Sequence, residues 1–149
     1  MNVRLAVIRV SGRLFEVDDY LRRHDFAPDA VWHAGDHTRR GQAREDSGFS
    51  LGIGDAASAD ALVQAFRAWV RSNRSALLEL RQLGAAAELD VGMTVGSAAQ
   101  FTASIALAPE DLALLAEVGL SYRVSAYPCD DADDEGTTEA GTSTGGPVE

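Results

Sequence analysis

The sequence predicts an α+β fold: a two-layer sandwich with a ferredoxin-like β-α-β-β-α-β core and an added β-α-β, the helices packed on one face of a mixed or antiparallel sheet. Three observations predict it. Segments such as "VRLAVIRVSG" (3–12) and "AELDVGMTV" (87–95) alternate apolar and polar residues, the two-residue period of a strand with one buried face. Segments 58–83 and 109–119 carry apolar residues at helical spacing between recognisable start and stop residues. The two kinds of segment are interspersed in the order that a split βαβ unit requires.

In chain order, strand 3–12 places Val3, Leu5 and Val7 on one side and Arg4, Ala6 and Ile8 on the other. "EVDDYLRRHD" (16–25) is a short helix, with Val17, Tyr20, Leu21 and His24 at helical spacing. Glu16, Asp18 and Asp19 fall in its first turn, where the helix dipole favours negative charge. Pro28 ends that unit, because the residue before a proline avoids the helical region. "AVWHAG" (30–35) is a short strand, and "DHTRRGQARED" (36–46), with no apolar period, is an exposed loop. "SGFSLGIG" (47–54) is a strand with Phe49, Leu51 and Ile53 on one side.

Ser58 caps a long helical stretch whose stripe is Leu62, Phe66, Trp69, Val70, Leu77 and Leu80. "RSNRS" (71–75) interrupts that stripe as a kink, or as a break restarting at Ser75, and Gly84 stops the helix. Strand 87–95 turns Leu89, Val91, Met93 and Val95 inward and Glu88, Asp90 and Thr94 outward. After the turn "GSAAQ", "FTASIAL" (101–107) repeats the alternation as a further strand. "PEDLALLAEVG" (109–119) is a helix with proline at its start and glycine at its end, and "LSYRVSAY" (120–127) is the last strand. The helix–strand units 16–33 and 110–126 echo each other weakly.

The 149 residues divide into a single domain, 1–129, and an acidic tail, 130–149. The net charge of -10 is concentrated in that tail, which holds Asp130, Asp131, Asp133, Asp134, Glu135, Glu139 and Glu149 and no base. The remaining 16 acids against 13 bases leave the domain close to neutral. The tail is too poor in apolar residues to offset its ordering entropy and is expected to be disordered. All 13 bases are arginine, and they do not gather into the basic domain that a nucleic-acid partner calls for. No stretch approaches the ~20 apolar residues of a membrane span, and Arg4 and Arg9 interrupt the N-terminal apolar run. The lone Cys129 permits no internal disulfide. The expectation is a cytoplasmic protein with neither nucleic acid nor membrane as partner.

"GFSLGIGDAA" (48–57) fits two catalytic or cofactor motifs at once, and neither survives its context. A nucleophile elbow needs Ser50 on a strand-to-helix turn with a histidine later in the chain. His24, His33 and His37 all precede it, and Ser50 lies inside a strand. The dinucleotide fingerprint needs a parallel βαβ unit with an acid about 20 residues on, whereas Glu88 and Asp90 lie well beyond that. Gly48, Gly52 and Gly54 mark instead a bulge, a close neighbouring backbone and the strand exit. "HAGDH" offers His33, Asp36 and His37 as weak metal candidates, but no fixed-face ligand spacing supports them. No metal and no cofactor is expected.

Trp32, Asp36, Arg39, Arg40 and Arg44 remain as partner-binding candidates, since arginine and tryptophan are enriched at interface hot spots. The competing reading has Trp32 in the core and the arginines solvated or paired with Glu45 and Asp46.

"HDFAPDAVWHAGD", followed after a gap by "SGFSL", resembles the bacterial family of domains of unknown function numbered 4279. Pro28, Trp32, Gly35 and Asp36 match its first block, and Ser47, Gly48 and Leu51 its second. Phe26-Ala27 in the turn, Asp29 in place of the usual threonine, and Phe49 in place of tryptophan depart from it. "LAPEDLALLAEVGL" is similar to its later helix, so the resemblance spans 3–127. It implies no established activity. By analogy of fold and size, small domains of this kind often turn out to be immunity proteins, which bind and neutralise a toxin. Residues Pro28, Trp32, Gly35, Asp36, Gly48 and Phe49 also have a structural reading: Trp32 anchors the sheet, Gly35 permits a turn, and Asp36 bonds to its backbone. The chain therefore reads as a non-catalytic protein-binding module. The alternative is a small-ligand or metal-binding domain that uses the turn and loop 32–40.

Overall fold

The computed structural model describes residues 4–96 and 102–129. Its elements are β1 (Arg4–Gly12), α1 (Val17–Arg23), β2 (Ala30–Trp32), β3 (Ser47–Asp55), α2 (Ala59–Ser72), α3 (Arg74–Gln82), β4 (Ala86–Val95), α4 (Pro109–Val118) and β5 (Leu120–Pro128). The strands form one sheet in the order β2-β3-β1-β4-β5. β3 lies antiparallel between β1 and β2, β4 is antiparallel to β1, and β5 is parallel to β4. The first four strands thus have the split βαβ arrangement, and β5 extends it. A parallel neighbour needs a crossover, which α4 supplies. The two helix–strand units that echo each other in sequence end on the two opposite edges, β2 and β5.

The core draws on one face of this sheet. Ala6, Ile8 and Val10 of β1, Phe49 and Leu51 of β3, and Leu89, Val91 and Met93 of β4 pack against Val17, Tyr20, Leu62, Phe66, Val70, Leu77 and Leu80 of the helices. The helix ends follow their sequence signals. Ser58 accepts a hydrogen bond from the Ala61 N–H at 3.1 Å, and Gly84 and Gly119 end α3 and α4 with positive φ. The interruption at 71–75 is a break: the Asn73 amide donates to Trp69 O at 2.9 Å, and a new helix starts at Arg74.

Two expectations are corrected. Residues 102–107 form no strand, and Phe101 lies outside the described residues, as do Val3 and the tail 130–149. Ala103, Ile105 and Leu107 do turn toward the core while Thr102, Ser104 and Ala106 face outward. The segment's end, Ala106 and Leu107, lies near Asp60, Val63, Gln64 and Arg67 of α2. β4 is already paired on both edges, by β1 and β5, so no ladder is open to it there. The added unit is therefore β4-α4-β5, and the sheet has five strands. The strand expected over 30–35 also stops at Trp32, because His33–Asp36 forms a turn.

α4 is tied to α2 through a carboxylate that the sequence pattern does not single out. Asp111 is 1% exposed. Arg67 donates to both its oxygens, with Nη2 2.9 Å from Oδ2, and the Ala108 N–H donates at 3.0 Å. The guanidinium holds this carboxyl below its ordinary range.

Candidate functional site

The sheet face opposite the helices begins at Trp32. Its ring lies against Gly48, where a Cβ would come within 2.6 Å of Cζ2, and its indole N–H donates to Asp46 at 3.1 Å. Trp32 thus caps the edge of the sheet rather than entering the main core. The chain then turns. Asp36 accepts the His33 N–H at 2.8 Å and returns its own N–H to His33 O at 3.0 Å, with Gly35 at φ +94. This is the backbone-bonding role expected of Asp36, and Gly35 supplies the conformation that a side chain would strain.

The segment 36–46 is exposed, as expected, but it is not an irregular loop. It is a small hydrogen-bonded hairpin. The Gly35 N–H donates to Arg44 O at 2.8 Å and the Arg44 N–H to Asp36 O at 2.7 Å, and His37 bridges Ala43. The Thr38 N–H donates to Gln42 O at 2.8 Å, and Gly41 turns at φ +77. Its tip therefore presents Arg39 and Arg40 from a fixed backbone. Both are exposed, and neither makes a side-chain hydrogen bond or ion pair among the described residues. The acids that could pair with them are engaged elsewhere: Glu45 binds Arg13 at 2.8 Å and Asp46 binds Trp32. Arg44 folds back, its guanidinium carbon 4.8 Å from the centre of the Trp32 ring.

Beyond Trp32 and Arg44 the uncovered face continues inward. One row across the strands reads Ala30, Ser50, Arg9, Glu88 and Ser121. Small residues between long ones leave a trough of about 500 Å³, walled by Trp32, Arg44, Arg9 and Glu88 and floored by Ser11, Ser50 and Ala30. Behind it, Asp90 accepts the Ser125 hydroxyl at 2.8 Å and lies 3.5 Å from Arg9. Arg123 is drawn onto Glu88 at 2.9 Å. Arg9 joins this site although the sequence marks it only as an interruption of the N-terminal apolar run. Its signal is a long charged residue in the same strand phase as Leu5 and Val7, on a side that otherwise reads as apolar.

The other candidate groups do not converge. His33 Nε2 is 2.9 Å from Asp18 Oδ2, on α1, while His37 lies in the hairpin. Among the described residues no three His, Cys, Asp or Glu side chains are placed to hold a metal ion. Ser50 sits in mid-strand between Arg9 and Ala30, and β3 is antiparallel to both neighbours, so neither motif read in 48–57 has its required context. His24 closes α1 through its backbone, and its ring lies 2.6 Å from Glu79 of α3. No described helix is long and apolar enough to cross a membrane.

Asp18, bonded to the ring, raises the His33 pKa above the usual imidazole value, with Asp36 adding to it. A raised folded-state pKa means that the contact stabilises fully below the unfolded value and is lost as pH rises through the folded one. An NMR titration of the imidazole is expected to give His33 a higher midpoint than a model histidine, and Asp18→Asn should return most of the difference. A midpoint unchanged by Asp18→Asn would show that the contact does not persist in solution.

No family model, no curated protein and no solved structure matches this chain.

Proposed function

We propose that this protein is a non-catalytic binding protein, and that it grips an acidic protein partner with the tip of the 36–46 hairpin and the adjoining uncovered sheet face. The observation that carries this reading is the presentation of Arg39 and Arg40, unpaired among the described residues, on a hydrogen-bonded hairpin. A solvated loop gains nothing from such order. A contact surface does, because a fixed backbone lowers the entropy that binding must overcome. Trp32 and Arg44, stacked at the base, are the residue types that anchor interfaces. The dispersal of Ser50, His33 and His37 supports the non-catalytic part of the reading. Membership of the family numbered 4279, residence in the cytoplasm and toxin neutralisation as the physiological outcome belong to the same proposal. They rest on the two sequence blocks around Trp32 and Gly48, on composition and on analogy of fold, respectively.

The test is capture from native lysate with wild-type and Arg39→Ala/Arg40→Ala chains side by side, quantified by mass spectrometry. One protein is expected at near-equal stoichiometry with the wild type and about tenfold depleted with the variant, as loss of an interface arginine costs ~1–2 kcal/mol. Both chains should melt together, since neither side chain supports the fold. Equal recovery, or no stoichiometric protein with either bait, would contradict the reading.

A further inference from the structure

The trough on the uncovered sheet face has more hydrogen-bond donors than acceptors. Arg44 contacts only the Trp32 ring through its guanidinium among the described residues, leaving its N–H groups without an acceptor. Arg9 is half exposed and has only the 3.5 Å approach to Asp90, outside good hydrogen-bond geometry. The hydroxyls of Ser11 and Ser50 have no partner among the described residues. On the acceptor side, Glu88 is already bonded to Arg123, and the two other lining donors, the Trp32 N–H and the Ser121 hydroxyl, are satisfied by Asp46 and by Ala87 O. Two guanidiniums and two hydroxyls around one small depression favour an oxyanion, which accepts several donors at once and is matched by the planar fork of arginine.

We infer that this trough is an oxyanion pocket that receives a carboxylate side chain of the bound protein partner. The inference rests on the reading of the hairpin face as a protein contact, and it adds what that face selects. Arg39 and Arg40, exposed at the tip, attract an acidic surface, while the trough fixes one acid in register beside Trp32. A carboxylate suits the site better than a bulkier anion, since the floor is made of Ser11, Ser50 and Ala30 and one wall is the Glu88 carboxylate. A doubly charged group would be repelled by Glu88.

The test is an NMR titration of the full ¹⁵N-labelled chain with acetyl-hexaglutamate amide, its hexaglutamine counterpart, and inorganic phosphate. Saturable shifts of the Trp32 indole N–H and the Ser50 amide with hexaglutamate, and none with hexaglutamine, are expected. The apparent affinity should fall at least tenfold in Arg44→Gln and in Ser50→Asp, the second placing a carboxylate in the trough, while both variants keep the dispersed spectrum of the folded chain. In Arg39→Ala/Arg40→Ala the same trough signals should still respond, which separates this inference from the hairpin reading. Shifts confined to the hairpin tip would overturn the trough and leave the hairpin standing. A tighter response to phosphate would overturn the carboxylate assignment. The seven tail acids are controlled by a chain carrying Asn or Gln in their places. A shift of the trough signals on that change alone, without probe, would make the tail the occupant and overturn the partner. No response below 10 mM hexaglutamate in either chain, a concentration at which even ~3 kcal/mol of binding registers, would overturn the proposal outright.

Discussion

Gly48→Ala is expected to destabilise the protein by about 3 kcal/mol or more, lowering the thermal midpoint by roughly 10 °C. A Cβ at this position would stand 2.1 Å from Val10 O and 2.6 Å from Trp32 Cζ2. The first atom is backbone in the middle of the β1–β3 ladder, so relief requires moving a strand that is paired on both sides. The second belongs to the ring that holds Arg44 and the base of the hairpin. Gly52→Ala, four residues on, is the control. Its Cβ would meet only the end of the Asp29 side chain, at 3.1 Å, and the change should stay within ~1 kcal/mol. Thermal unfolding followed by circular dichroism measures both, and a Gly48→Ala chain melting within a few degrees of wild type would refute the close approach.

Phe49→Ala is expected to cost about 4 kcal/mol. The side chain is fully buried, with its ring 5.9 Å from Tyr20, 6.3 Å from Phe26 and 6.4 Å from Phe15. These rings join β3 to α1 and, through Phe26 and Trp69, to α2. The cluster cannot collapse onto the void, because Tyr20 is pinned by its hydroxyl donating to Ala76 O at 2.9 Å. Urea denaturation would report the loss as a lower midpoint with an unchanged slope. A loss below ~2 kcal/mol would mean that the cluster repacks. Both changes act on the stability of the whole fold and so do not report on the contact surface itself.

The part of the fold written in local chemistry was legible. Ser58, Pro109, Gly84 and Gly119 mark helix ends through bonds or φ values that span only a few residues. The buried faces of β3 and β4 followed from alternation alone, whereas β1 offered apolar residues in both phases, and the structure buries Ala6, Ile8 and Val10 while Leu5 is exposed. What failed depends on who lies next to whom. Segment 102–107 alternates like a strand because it has an inside and an outside, but alternation records sidedness and not a hydrogen-bonded neighbour. Asp111 stands in the first turn of α4, and its partner Arg67 is 44 residues away on another helix. His24 likewise meets Glu79 at a separation of 55 residues.

The candidate site was legible in its residues and not in its order. Trp32, Asp36, Arg39, Arg40 and Arg44 do share one corner of the molecule, while His33 turns from that corner to Asp18. Apolar periodicity is silent about an exposed hairpin, whose order comes from backbone bonds and from Gly35 and Gly41 at positive φ. The trough was hidden for the same reason as the Arg67–Asp111 pair. Arg9, Ser50 and Arg44 come together only once β3 is laid between β1 and β2.

On the proposed function, the hairpin side of the sheet, and not the helical layer, meets another protein. The direct measurement is photo-cross-linking in the native cell, with a benzophenone amino acid placed either at Gln42, exposed beside the two arginines of the hairpin tip, or at Ala68, exposed on α2. One discrete adduct is expected from position 42 and none from position 68. An adduct from position 68 alone, equal adducts from both, or none from position 42 would place the contact elsewhere.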